Sequence, residues 1–144
     1  MEKEHFEPNM DELKKYFGPE SGINTPDKAF TFMLGVLYGK LLQVQAARGV
    51  NVSANALSWL KRLTLRGKDL PELYIKVREK LLAYDTEKNE EVRKLITEIG
   101  RVGLKLNMEN IKLDDVQTNY YLLLGQSMTA DILPAKEKNK RSEN

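Results

Sequence analysis

The chain has 144 residues, enough for one domain that buries roughly two-thirds of the surface its unfolded form exposes. It holds no cysteine and a single histidine, His5, which removes disulfides and thiolate metal sites and makes a reducing compartment, the cytoplasm, the expected one. Glu2, Glu4, Glu7 and Asp11 stand where a secretory leader needs a basic start, and no uncharged run approaches the ~20 residues of a membrane span, so neither export nor insertion is expected.

In chain order, Asn9 with Glu12 three residues on reads as a capping box that opens a short helix from Met10 to Phe17, amid turn signals at Pro8, Gly18, Pro19 and Gly22. Thr25-Pro26 starts a long helix running to Arg48, with Gly49 as its stop. Phe30, Met33, Leu34, Leu37, Leu41 and Val44 form one broad apolar face, the core side. Gly35 and Gly39 lie four apart on a neighbouring face, and mid-helix glycine costs about 1 kcal/mol against alanine, so a second helix is expected to approach closely there.

Ser53 caps a further helix through Leu65, with Ala56, Trp59, Leu60 and Leu63 inward and Gly67 ending it. Asp69 caps the next, opened by Leu70 and Pro71, with Leu73, Val77, Leu81 and Tyr84 inward. Thr86 begins a helix carrying Val92, Leu95, Ile96, Ile99 and Val102 and stopping at Gly103. Asp114 and Gln117 cap the last helix, which includes Tyr120, Tyr121, Leu123, Leu124, Met128 and Ile132 and is halted by Pro134. The expected fold is all-α, a compact bundle of about five substantial helices plus a short N-terminal one, with no alternating strand pattern. Residues 1–24 form an N-terminal extension, 25–134 the bundle, and 135–144 a disordered polar tail. Phe32-Met33-Leu34-Gly35 and Tyr121 through Gly125 look alike, and two helices crossing at small residues accounts for the likeness without an internal repeat.

Nothing in the sequence assembles a catalytic site. His5 lies in the N-terminal stretch with no thiol to act on; the pairs Glu90/Glu91 and Asp114/Asp115 sit near helix starts, where acids complement the dipole; phosphate-cradling and dinucleotide-binding glycine motifs are absent. Carboxylates far apart in sequence could still meet in space as an acid–base pair. The expectation is a protein that is not an enzyme and uses no cofactor and no metal.

Charge is the informative feature. Residues 40–80 hold nine basic and three acidic side chains, against four and seven in 1–39 and six and nine in 81–135. Lys61 and Arg62 lie on the polar side of their helix, Arg66 and Lys68 flank Gly67, Arg48 ends the preceding helix, and Lys76, Arg78 and Lys80 extend the charge onto the next. The candidate nucleic-acid contacts are therefore Arg48, Lys61, Arg62, Arg66, Lys68 and Arg78. The bland alternative is cations complementing helix C-termini and solvated lysines. No aromatic is interleaved on the polar side, and Trp59 belongs to the apolar stripe, so such a patch would grip phosphates, salt-sensitively and without reading sequence.

The run AFTFMLGVLYGKLLQVQAARGVNVSANALSWLKRLTLRGKDLPELYIKVREKLLAYD, closing with NYYLLLGQSMTADIL, resembles the helical C-terminal region of the large subunit of type I-B CRISPR surveillance (Cascade) complexes, which is similar to the family's separate small subunit. The likeness covers roughly 25–133 and rests on aromatic-to-glycine runs in the first and last long helices and the Gln43/Gln45 interruption, none of them catalytic signatures. It implies a helical bundle present in several copies, lying between the crRNA-bound backbone and the large subunit, that holds the displaced non-target strand and stabilises the R-loop; cleavage belongs to a separate nuclease-helicase. R-loop formation is a near-balanced exchange of duplexes, so a few sequence-blind backbone contacts tip it. The competing reading is a protein–protein scaffold with no nucleic-acid contact.

Overall fold

The computed structural model describes residues 11–17, 22–23, 25–47, 69–84, 90–106 and 113–133. Among them the secondary structure is entirely helical: α1 (Asp11–Lys14), α2 (Pro26–Ala47), α3 (Leu70–Ala83), α4 (Glu90–Leu106), α5 (Asp115–Ser127) and α6 (Thr129–Ile132). The protein is an all-α bundle. No described helix is long and apolar enough to cross a membrane. The expected helix over Ser53–Leu65, with Trp59, and the segments 1–10 and 134–144 fall outside the described residues.

The bundle is organised around α2. Every residue from Ala29 to Leu41 is buried, Thr31 and Lys40 included. The sequence reading of one apolar face is corrected here: α3, α4, α5 and α6 all pack on α2, so it is covered on every side. Phe30, Phe32, Tyr38 and the leucines beside them each contribute about 1.5–3 kcal/mol by leaving water. The polar groups trapped with them are mostly bonded: the Thr31 hydroxyl donates to the Asp27 carbonyl (2.8 Å) and the Lys40 ammonium to Gln43 Oε1 (3.1 Å). The Tyr38 hydroxyl has no hydrogen-bond partner among the described residues, and burial pushes its phenol well above the usual tyrosine range.

The close approach expected at the helix glycines is present. A Cβ on Gly35 would overlap the Leu122 carbonyl, one on Gly39 would overlap the Thr129 side chain, and one on Gly125 would overlap the Phe32 carbonyl and come within 3.1 Å of Gly35 Cα. Gly35 and Gly125 therefore meet backbone to backbone where α2 crosses α5, which is why the stretches around them look alike. At the start of α5, Asp114 accepts from the Gln117 amide (2.8 Å) while Gln117 Oε1 accepts from the Asp114 amide (3.3 Å), the reciprocal box read from the sequence.

Other boundaries differ. The last helix is not continuous to Ile132: it stops at Ser127 and restarts at Thr129, because the Thr129 hydroxyl donates to the Val36 carbonyl (3.1 Å) and to that of Gly125 (3.4 Å), pinning the turn to α2. Gly103 does not end α4, which continues to Leu106; a glycine stop needs left-handed backbone, and among the described glycines Gly22 alone has it (φ 87°). Asp69 precedes α3 but makes no side-chain cap bond, its backbone being already helical. On α3 the inward set includes Tyr74, and Tyr84 is half-buried at the helix end, where its hydroxyl meets Gln45 Nε2 (3.5 Å). The described part of the N-terminal stretch packs on the bundle: Leu13 and Ile23 are buried, and the Tyr16 and Phe17 rings lie 5.6 and 6.0 Å from that of Phe32.

Candidate nucleic-acid interface

Among the candidate contacts, Arg48, Lys61, Arg62, Arg66 and Lys68 lie outside the described residues, and Arg78 lies within them. Arg78 is half-buried on α3, with its guanidinium carbon 5.3 Å from the centroid of the Tyr74 ring one turn earlier. Tyr74 is fixed in turn. Its ring meets Phe30 of α2 edge-on at 6.2 Å, and its hydroxyl donates to the Ile96 carbonyl of α4 (3.4 Å). Arg78 thus stands at the outer end of a stack rooted in the core. A guanidinium held over a ring is worth about 0.5–1 kcal/mol to the fold and offers N–H donors suited to paired phosphate oxygens.

Around Arg78 the charge is mixed. Lys76 pairs with Glu72 one turn back at 3.9 Å, both exposed, a contact worth about 0.3–0.5 kcal/mol. Lys80 is exposed at the end of the same helix, beside Glu79. On α4, Arg93 and Lys94 are exposed on the side away from buried Val92, Leu95 and Ile99. The sequence reading did not single them out, although their place between apolar positions of a regular stripe marks them as outward.

Buried Glu98 and the Arg101 beside it form an ion pair, also missed, whose sequence signal is the three-residue spacing of opposite charges. The acids near helix starts have structural work: Asp114 caps α5, and Glu90, Glu91 and Asp115 occupy first turns. Among the described residues no group of three or more His, Cys, Asp or Glu is placed to hold a metal ion.

Two stretches of the chain differ sharply in charge. From Leu113 to Leu133, the stretch containing α5 and α6, there are three carboxylates, Asp114, Asp115 and Asp131, and no lysine or arginine. From Arg48 to Lys68 there are five cations and no carboxylate. Fields of this kind steer a polyanion to one part of a molecule and away from another.

Comparison with known proteins gives one family. The family model of the CRISPR-associated protein TM1802 (cas_TM1802) C-terminal domain matches residues 1–140. No curated protein and no solved structure matches the chain.

Proposed function

We propose that this chain, which belongs to the family of the CRISPR-associated protein TM1802 C-terminal domain, is a non-catalytic helical subunit of a type I-B CRISPR surveillance complex that holds the displaced DNA strand of the R-loop without reading its sequence. The family supports a CRISPR complex as the setting. The observation that carries the finer reading is the segregation of charge, five cations without a carboxylate over 48–68, in a bundle whose last helices carry only acids.

In this reading Arg48, Lys61, Arg62, Arg66 and Lys68 neutralise phosphates, and Arg78, oriented by Tyr74, adds a fixed guanidinium. Binding gains come from counterion release and are indifferent to base identity. That suffices because the RNA–DNA heteroduplex is about as stable as the duplex it replaces, so the protein needs only to bias the exchange. The partners are the crRNA-bearing backbone, the large subunit, the displaced single strand and further copies of the chain; the setting is the cytoplasm, and no cofactor is required. The role involves no chemistry on the strand: the chain offers one histidine and no thiol, and cleavage falls to a separate nuclease-helicase.

The second reading, a protein scaffold, is favoured by one observation: Val116, Tyr120 and Leu123 of α5 are exposed apolar side chains in a row. The two separate in one experiment. The crRNA-loaded complex is reconstituted without the chain, with it, and with a version carrying Lys61→Glu, Arg62→Glu, Arg66→Glu and Lys68→Glu, and the displaced strand is footprinted. Restoration by the wild type but not by the reversed chain, with both incorporated, supports strand holding. Equal restoration by both assigns the chain to scaffolding alone.

A further inference from the structure

Helices α3 and α4 both pack on α2 and not substantially on each other, and the Tyr74 side chain bridges the gap between them. Its hydroxyl donates to the Ile96 carbonyl and lies 3.9 Å from where a Cβ on Gly100 would stand. Tyr74 thus touches the stripe of α4 that carries Arg93, Ile96 and Gly100 at spacings of three and four.

Chain length gives the direction of α4. Measured from the Tyr74 tie, Ala83 and Glu90 each lie roughly two turns or more along their helices. In a parallel pair they would stand about 25 Å apart along the axes, the full reach of the seven extended peptide steps between them before the width of the groove is crossed. α4 therefore runs antiparallel to α3, and that sets two arginines opposite each other. Arg78 is four residues beyond Tyr74 and Arg93 three residues before Ile96, so both stand about 5–6 Å past the tie, on the same side of it and across the groove. Arg78 is half-buried, its guanidinium carbon 5.3 Å from the Tyr74 ring centroid, and Arg93 is exposed. Among the described residues neither takes part in an ion pair or hydrogen bond, and Glu79 and Glu90, the exposed carboxylates nearest them in sequence, pair with neither. Two unpaired cations facing across a groove leave it electropositive and short of an acceptor.

We propose that Arg78 and Arg93 form a clamp for a single phosphate group, seated in the groove between α3 and α4. The chemistry selects phosphate over carboxylate. One guanidinium fork already satisfies both oxygens of a carboxylate, whereas a tetrahedral phosphate keeps oxygens outside that plane for a second fork arriving from the other helix. Tyr74 holds Arg78 in place, and Arg93 closes from α4. The clamp deepens the proposed function and rests on it only for the source of the phosphate, the backbone of a single strand or a strand's 5′ end.

The test is a nuclear magnetic resonance titration of the full chain with inorganic phosphate, reading the arginine Nε–H signals against sodium chloride at matched ionic strength. The Arg78 and Arg93 signals move together and saturate at about 1–10 mM phosphate, the affinity of two or so charge-assisted hydrogen bonds, while chloride leaves them in place. Arg93→Gln weakens the Arg78 response about tenfold, and Arg78→Gln does the same to Arg93. Both side chains reach solvent, and unchanged helical circular dichroism confirms that the variants fold. With single-stranded DNA, removing both arginines lowers the salt slope by about 0.7, one phosphate, where two separate contacts would lower it by about 1.4. The same change with an oligomer lacking a 5′-phosphate identifies the strand backbone as the source; a change confined to the 5′-phosphorylated oligomer identifies the strand end. Signals that move equally in chloride, signals that titrate at separate concentrations, or an Arg78 response untouched by Arg93→Gln overturn the clamp. The phosphate titration involves neither Lys61 nor its neighbours, so its failure leaves the strand-holding reading standing, and failure of strand binding leaves the titration unchanged.

Discussion

Helices α5 and α3 both rest on α2, and they do so by opposite means. α5 meets it backbone to backbone, with Gly35 and Gly125 leaving no room for a Cβ, while Gly39 makes room for the Thr129 side chain of α6. α3 meets it through side-chain bulk, with Leu70, Leu73, Tyr74, Val77 and Leu81 buried and the Tyr74 ring against Phe30. The first seam can only be right or wrong, because a carbonyl cannot rotate out of the way. The second can adjust, since side chains re-pack at modest cost. Glycine therefore means different things in the two regions: at Gly100 of α4, near the α3 side, an added Cβ would meet nothing closer than the Tyr74 hydroxyl at 3.9 Å.

The comparison is broken most severely at the crossing. Gly125→Ala drives a methyl into the Phe32 carbonyl and Val36 amide, and we expect a loss of about 3 kcal/mol or more, read as a thermal midpoint lowered by roughly 10 °C. Next comes the cap of the same helix. Asp114→Ala removes one side of the reciprocal box and should cost about 1 kcal/mol in denaturant titration, well short of the glycine effect if the seam and not the cap secures α5. Gly100→Ala, the same exchange as the first, should carry the opposite sign, a gain of about 0.5–1 kcal/mol from reduced freedom of the unfolded chain. Smallest is Glu72→Gln, which removes the exposed partner of Lys76 and should cost about 0.3 kcal/mol, fading in high salt.

The seam was largely legible in the sequence, because glycine inside a long apolar helix demands a cause and the matching aromatic-to-glycine stretches supplied one. The Asp114/Gln117 box was legible because it is local. Two features were not. Burial of α2 on every side depends on how many helices surround it, and Thr31 and Lys40 disguised it by lying where a polar face would. The interruption at Met128 comes from the Thr129 hydroxyl reaching Val36, ninety-three residues earlier, a contact no local pattern announces.

The candidate site divides in the same way. Arg78 was found from charge, but its support by Tyr74 was missed because Tyr74 lies beside the Leu73–Val77–Leu81 stripe and not in it; the four-residue spacing from Tyr74 to Arg78 was the available clue. Arg93 and Lys94 do not stand out from charge because the stretch around them, 81–135, carries nine acids against six bases. The other five candidates lie outside the described residues and stand on charge alone.

The central claim is that the cations of residues 48–80 hold a single strand by its phosphates. It is tested most directly by measuring the affinity of the purified chain for single-stranded DNA oligomers of unrelated sequence across a range of salt. The account expects equal affinities for the different sequences and a logarithmic slope of roughly −3.5 for about five neutralised phosphates, falling toward zero when Lys61, Arg62, Arg66 and Lys68 are reversed to Glu. A slope unchanged by the reversal, or affinity that depends on sequence, would contradict it.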